Sequence, residues 1–346
     1  MNIDAPSAAP TSAHARFVRL LGYVAWSYAL VVIASCVFMY AGGDRWWPAT
    51  MLLFSPRWLI ALPLAMLVPL ALWLNRRLLL PLLLSALVIF GPFMGLRFPI
   101  EKPKPGTGPL FRVLTCNIHG GGASEEALLS LVEEVRADLV ALQECPPEMR
   151  NKMPGWFVLQ EGGLALMSRR PFLSQGAVRT VRVPYRWPAV SMLHGTVGMP
   201  GGAVTLCNIH LPTPRFGLQN LLDRRTVLDP AKSGELVNET WYRESNARTL
   251  REALDALPGP VVVAGDFNTP VESRIYRTVW GDLTNAFDRV GKGYGHSQRA
   301  TLRGYRYGVR IDHVLTGKGL VPQVCEVGPD VGSDHLPVIA DVGFGG

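Results

Sequence analysis

A chain of 346 residues that is 48% apolar with a net charge of +7 is too long for one small domain. Its positive mean hydropathy is high for a soluble protein, and the apolar excess lies in residues 1–100. Residues 1–100 hold seven Arg, no Lys and two acids (Asp4 and Asp44), a net +5, which leaves only +2 of the +7 for the other 246 residues. A basic nucleic-acid-binding surface on that larger part is therefore disfavoured.

Residues 1–15 are rich in Ala, Ser and Pro and lack periodicity, which predicts a short disordered tail. Apolar runs follow from Leu20 to Tyr40, Leu59 to Leu74 and Leu78 to Leu96, each close to the length that crosses a bilayer as a helix. Asn75-Arg76-Arg77 is the turn between the last two, and Pro63, Pro69 and Pro81 are tolerable inside membrane helices. The alternatives are a cleaved signal peptide and a soluble helical bundle. The first is disfavoured because no small-x-small cleavage site precedes the Asp44-Arg45-Trp46-Trp47 loop. Arg16 and Arg19 before the first run, with Arg76 and Arg77 after the second, put both flanks in the cytoplasm. A multi-pass protein of the inner or plasma membrane is thus expected, with everything after the third span outside. Arg97, Lys102 and Lys104 pull the other way, while Trp46 and Trp47 suit an outer interfacial belt. The lipid bilayer is the first expected partner. Residues 99–109 form a Pro-rich, semi-rigid linker between an N-terminal region, 1–98, and a domain spanning 110–346.

In that domain Phe111 to His119 reads as a strand ending in polar residues and glycines. Ser124 then caps a helix whose Leu128, Leu131, Val132 and Val135 fall at helical spacing. Asp138 to Glu144 is a second strand, with a carboxylate at its far end. Gly163 to Ser168 is a third, and Val204 to His210 a fourth, with Asn208 and His210 on one face. Leu211 to Glu239 reads as a long polar connection, a candidate substrate-facing insertion. A helix carrying Leu250, Leu254 and Leu257 leads into Val261-Val262-Val263-Ala264-Gly265-Asp266-Phe267-Asn268-Thr269-Pro270. In extended chain Asp266 and Asn268 leave on the same face, as if to hold a water and a phosphoryl oxygen side by side; an Asx turn closing the strand is the plain alternative. Arg310 to Leu315 is a strand with the embedded Asp312, and Gly332 to Val338 adds an adjacent Asp334 and His335.

The stretches TCNIH, LQE, NIH, GDFN, RIDHV and SDHLPV, in that order over residues 110–342, resemble the endonuclease/exonuclease/phosphatase superfamily. The resemblance implies an α/β fold, the DNase I-like four-layer α/β sandwich, here preceded by three transmembrane helices. It implies a metal-dependent phosphohydrolase with Mg²⁺, or Mn²⁺ in its place, near Asn117, Glu144 and Asp334. Such hard oxygen ligands suit a partly hydrated octahedral ion. Asp266 would orient and deprotonate the attacking water, and Asn268 would hydrogen-bond the phosphate. His210 and His335 would stabilise phosphoryl oxygens or protonate the leaving group, with Asp312 holding His335. His119 departs from the residue types the family more often places after Asn-Ile.

Cys116 and Cys207 alternate away from Asn117 and His210, so both should point into the sandwich as buried thiols. No C-x-x-C spacing supports zinc. The expected substrate is a phosphoester, a lipid-linked phosphate or pyrophosphate at the outer leaflet, because the linker spans roughly 35 Å at most. Trp156, Phe157, Tyr185 and Trp187 could meet lipid or pack in the core. An extracytoplasmic nuclease and a non-catalytic membrane adaptor are the alternatives; near-neutral domain charge weighs against the first and the intact motif set against the second.

Overall fold

The computed structural model describes residues 12–99, 108–119, 122, 124–180, 190–222, 230–302 and 304–345. Most of the expected tail and linker, with Tyr185 and Trp187, lies outside the described residues. The chain divides into two units, Met1–Ala41 with Pro56–Gly95, and Gly42–Ser55 with Leu96–Gly346.

The first unit contains α1 (Ser12–Gly42), which starts inside the stretch read as a tail. The loop after it carries α2 (Trp47–Leu53), which belongs to the second unit; α3 (Leu62–Leu74) and α4 (Leu79–Val88) complete the first. Three helical stretches, Ala13–Gly42, Arg57–Leu74 and Arg76–Phe93, are long and apolar enough to cross a membrane. Leu21 and Ala25 of α1 pack on Leu67, Ala71, Leu78 and Leu82, where the small Ala side chains permit close helix approach. Outward, Leu20, Leu30, Met66, Trp73 and Leu80 are exposed, an apolar surface of the kind that meets a protein partner or a membrane.

The second unit carries β1 (Phe111–Asn117), α5 (Glu125–Glu134), β2 (Leu139–Gln143), β3 (Phe157–Glu161), β4 (Leu164–Ser168), β5 (Phe172–Arg179), β6 (Val190–Met199) and β7 (Gly202–His210). Then come α6 (Arg215–Leu222), α7 (Pro230–Asp255), β8 (Val261–Asp266), α8 (Arg274–Val279), β9 (Thr284–Asn285) and α9 (Ala286–Val290). The chain ends through β10 (Gln298–Leu302), β11 (Tyr305–Val309), β12 (Asp312–Thr316), β13 (Leu320–Val327) and β14 (Val338–Phe344). Two mixed sheets form, in the orders β13-β14-β1-β2-β4-β3 and β5-β6-β7-β8-β12-β9, with β10 and β11 as a separate hairpin.

Alternation along the central strands explains the layers. Phe111 and Val113 of β1 meet Val262 and Ala264 of β8 in a core between the sheets. The opposite faces, Leu114 with Cys116 and Val263 with Cys207, pack under Leu128, Leu131 and Val132 of α5 and under Leu250 and Leu254 of α7. Both faces of these strands are therefore covered, which is why they read as continuous apolar runs. The result is the expected DNase I-like α/β fold. Cys116 and Cys207 are buried free thiols, but in opposite outer layers rather than facing each other.

The Leu211–Glu239 reading is corrected: α6 and the beginning of α7 occupy most of it. Pro230 opens α7, where its missing N–H is not needed, and the buried Leu236 continues the stripe of Ala247, Leu250 and Leu254. A dense polar face hid that stripe. Trp156 is core, whereas Phe157 is exposed.

Candidate active site

Strand register assembles the candidate residues. Parallel pairing places His210 of β7 opposite Asp266 of β8, and antiparallel pairing places Asp312 of β12 opposite the same Asp266 from the other side. In the facing sheet Asn117 of β1 pairs with Gln143 of β2, and Glu144 follows. The close packing of β7 and β8 depends on Gly265. Its φ is 144°, and a Cβ there would come within 2.0 Å of Ile209 O, so no other residue fits.

Asn117 joins the two sheets at the site. Its Nδ2 donates to Glu144 Oε1 at 3.1 Å and to Asp266 Oδ2 at 3.0 Å, while its Oδ1 accepts His119 N–H at 3.0 Å. In this arrangement Asn117 orients the two carboxylates, and its Oδ1, which accepts one hydrogen bond, keeps a second lone pair. Ser333 Oγ donates to Asn117 O at 2.7 Å and accepts His335 N–H at 3.1 Å, tying the Ser-Asp-His stretch to β1. Deeper in, Gln143 Nε2 donates to Asn208 Oδ1 at 2.7 Å, and Asn208 Nδ2 donates to Leu142 O and Ala165 O. This buried amide bridge clamps sheet to sheet beneath the site, and leaves Asn208 structural.

Asp266 and Asn268 do meet, but not through extended chain. Asn268 has φ 46°; its N–H donates to Asp266 Oδ1 at 2.8 Å, an Asx-type turn. Asn268 Nδ2 donates to Leu211 O at 2.7 Å and Asp266 Oδ2 at 3.1 Å. Both amide hydrogens are thus engaged, one by Leu211 O and one by Asp266, a correction to the reading that offered them to phosphate. The turn and the site are the same structure. His119 and Glu144 also sit at positive φ, 48° and 52°, so backbone strain gathers where β1, β2 and β8 end, a pattern common at functional sites.

His335 Nδ1 approaches Asp312 Oδ2 at 2.9 Å and Oδ1 at 3.0 Å; its Nε2 lies 3.9 Å from Asp266 Oδ2. Burial opposes a charged imidazole, but the flanking Asp312 and Asp266 prevail and raise His335 to about 10. Burial and the Asp312 charge push Asp266 up to about 7, with His335 and the Asn117 hydrogen bond restraining the rise. His210 Nε2 faces Asp266 Oδ2 at 3.6 Å and Glu144 Oε1 at 3.9 Å. Burial, and then the nearby His335, lower His210 to about 3, so it is a neutral imidazole beside an imidazolium.

Four carboxylates (Glu144, Asp266, Asp312 and Asp334) converge here, and that donor set suits a hard divalent cation. Asp266, Asp312 and His335 each bring one ligand-capable atom within 4.8 Å of the others, but His335 Nδ1 is already engaged by Asp312. At the mouth, Asp334 Oδ1 is buried without a hydrogen-bond partner, and His119 Nδ1 stands 3.6 Å from it and 3.8 Å from Glu144 Oε2. The unsatisfied Asp334 oxygen, with Glu144 across the same His119 ring nitrogen, offers a place for a cation beside the Asp266, Asp312 and His335 group.

Two supports stand outside the expected site residues, although the first, His313, lies within the RIDHV stretch. His313 Nε2 is 2.9 Å from Thr269 O, and its ring packs against Phe267 and Tyr276. Arg243 of α7 donates from Nη2 to Asn268 O and to Thr269 Oγ1, both at 2.9 Å. Nothing in the α7 sequence marks Arg243 as different from the solvated charges around it.

The sequence pattern of the endonuclease/exonuclease/phosphatase family matches residues 114–335. Two UPF0294 proteins of Vibrio vulnificus, strains YJ016 and CMCP6, are each 35% identical over 106 residues, 30% of this chain. That match spans only 35% of those relatives' length. Among solved structures, an endonuclease/exonuclease/phosphatase family protein from Leptotrichia buccalis superposes with TM-score 0.50 at 15% identity, covering 68% of this chain and 100% of that one. D. rerio TDP2, solved with a single-strand DNA product, gives TM-score 0.51 at 16% identity over 68% of this chain and 99% of its own. Identities this low establish the fold alone. With the sequence pattern covering most of the chain and the fold agreeing, the protein belongs to the endonuclease/exonuclease/phosphatase family.

Proposed function

We propose that the protein is a membrane-anchored, Mg²⁺-dependent phosphoester hydrolase whose catalytic unit lies outside the cytoplasm and acts on a lipid-linked phosphate or pyrophosphate. The observation that carries the chemistry is the strand-end row of His210, Asp266 and Asp312 with His335 protonated above it. Asp266, raised to about 7, accepts the proton of a water as the water oxygen attacks phosphorus. The His335 imidazolium, held by Asp312, faces the developing negative charge and donates to a phosphoryl or leaving oxygen. Neutral His210 adds a hydrogen bond without adding charge. Glu144 and Asp334 would hold Mg²⁺, which when bound draws charge from a phosphoryl oxygen.

Membrane attachment is supported by the three apolar helices. Their number gains support from Gly42–Ser55, which packs with the catalytic unit. The loop after the first span and the chain after the third share a side only if an even number of crossings separates them. The Arg distribution puts that side outside.

An activity panel on the full-length protein with Mg²⁺ tests the reading, using an isoprenyl pyrophosphate, a sphingomyelin-like lipid and plasmid DNA. Turnover of a lipid phosphoester, abolished by chelation, is expected. Turnover of DNA alone would favour the nuclease reading, for which the DNA product seen in D. rerio TDP2 is the analogy and the low charge of this domain the objection.

A further inference from the structure

A pocket of about 310 Å³ opens beside the site, with Asn268 and Asp334 on one wall, at the small end of the range of ligand sites. Its second wall is the β10–β11 hairpin, through Arg299, Ala300 and Tyr307. Its third comes from the loop between the first two apolar helices, through Met51, Phe54 and Ser55. That loop is fixed at both ends. Asp44 is buried and accepts hydrogen bonds from Ser273 Oγ and from Ile275 N–H, the latter at 3.2 Å. Its Oδ1 lies 3.3 Å from Arg243 Nη1, and Arg243 in turn holds Asn268 O and Thr269 Oγ1. At the other end, Tyr307 OH donates to Phe54 O at 2.7 Å. Removing either member of a buried ion pair strands the other charge, so Asp44 and Arg243 lock the loop to the turn that carries Asn268.

We propose that Gly42–Ser55 completes the substrate pocket and selects its leaving group: a phosphoester whose phosphate sits at Asp266 and Asp334 and whose leaving group is an aliphatic, lipid-like alcohol packed on Met51 and Phe54. This rests on the hydrolase reading above and adds the residues that read the substrate. The lining supports it. Phosphate-proximal groups are polar, while Met51, Phe54 and Leu218 line the pocket with apolar surface. Arg299, the cation of the hairpin wall, is already paired with Asp330 at 2.8 Å and with Ser333 O, which leaves Arg215 as the other cation of the lining, a match for a single phosphate more than for a polyanion. The apolar wall is also continuous in sequence with two candidate membrane spans.

The test is photolabelling of the full-length protein in nanodiscs with Mg²⁺, using octyl phosphate that carries a diazirine at its chain end. Label is expected on the peptides containing Met51–Phe54 and the β10–β11 hairpin, and excess octyl phosphate should compete it away while octanol does not. Met51→Trp, which fills the pocket from one wall, and Ala300→Trp, which fills it from the other, should each cut that label about tenfold. Label confined to the apolar helices, equal competition by octanol, or pocket label untouched by both variants would each overturn the proposal. Labelling needs no turnover, so the two readings fail separately. A protein that labels in the pocket but hydrolyses no phosphoester refutes the hydrolase reading, and an active hydrolase without pocket label refutes this one.

Discussion

His335 points Nδ1 at Asp312 Oδ2, 2.9 Å away, and both residues are more than nine-tenths buried. A buried imidazole would ordinarily be neutral. Here the carboxylate contact makes it a cation, and so makes it useful to a reaction that accumulates negative charge.

The first expectation concerns pH. With Asp266 near 7 and His335 near 10, kcat/KM should rise as Asp266 loses its proton and fall as His335 loses its own. That gives a plateau between roughly 7 and 10. Asp312→Asn removes a negative charge that raises both values, so both limbs should move to lower pH. A pH–rate profile of the variant with unmoved limbs would contradict the electrostatic assignment.

Glu144→Gln should leave the fold intact and weaken both Mg²⁺ binding and turnover. An amide lacks the charge of the carboxylate and offers one oxygen where there were two. Mg²⁺ titration of activity and of intrinsic fluorescence checks this; wild-type metal dependence would make Glu144 an ordinary mouth residue.

How far the site could be read in advance follows from how each part is encoded. Strand-end residues such as Asn117, Glu144 and Asp266 follow apolar runs that are buried on both faces, so the strand signal and the polar interruption are both visible. The row joining His210, Asp266 and Asp312 is a matter of pairing register, which no local signal specifies. The Asp266-Phe267-Asn268 geometry was misread because alternation was carried one step past the end of β8, where Asn268 turns into the left-handed region. The amide bridge from Gln143 to Asn208 and the Arg243 support involve partners 65 and 25 residues apart, and in sequence each looks like any polar residue. Asp44 had one clue, as an acid within an apolar third, and it passed for a loop residue between spans.

Acid stability tests His313. Burial lowers it to about 4 from 6.5, and in the neutral ring Nε2–H donates to Thr269 O while Nδ1 accepts from Asn285 Nδ2 at 3.4 Å. The unfolded chain binds a proton below about 6.5 that the folded one refuses until about 4. Stability is therefore lost as pH falls through that window, by up to about 1.4 kcal/mol per pH unit for this one group. His313→Gln can still donate to Thr269 O but does not titrate. The Tm gap between it and wild type should narrow from pH 6.5 to 4, and a constant gap would show that burial does not lower His313 below its unfolded value.

Topology is tested by fusion. Alkaline phosphatase joined after residue 106 should be active and a green fluorescent protein there dark, because Arg16, Arg19, Arg76 and Arg77 hold their flanks inside. The reverse pattern would move the catalytic unit to the cytoplasm.

The central claim is that Asp266 does chemistry as well as closing a turn, and Asp266→Asn separates the two. Asparagine accepts the Asn268 N–H as aspartate does, so the turn should survive, but its amide would face the Asn117 and Asn268 donors that Oδ2 now accepts, at a cost of about 1–3 kcal/mol and a correspondingly lower Tm. It cannot take a proton from water, so kcat should fall about 10²–10⁴-fold, the usual range for losing a general base. Measuring kcat and Tm on one preparation of the full-length variant decides the matter: a large loss of kcat in a variant that still melts cooperatively, at a modestly lower Tm, is the expected result, and near-normal turnover in a folded Asp266→Asn protein would contradict it.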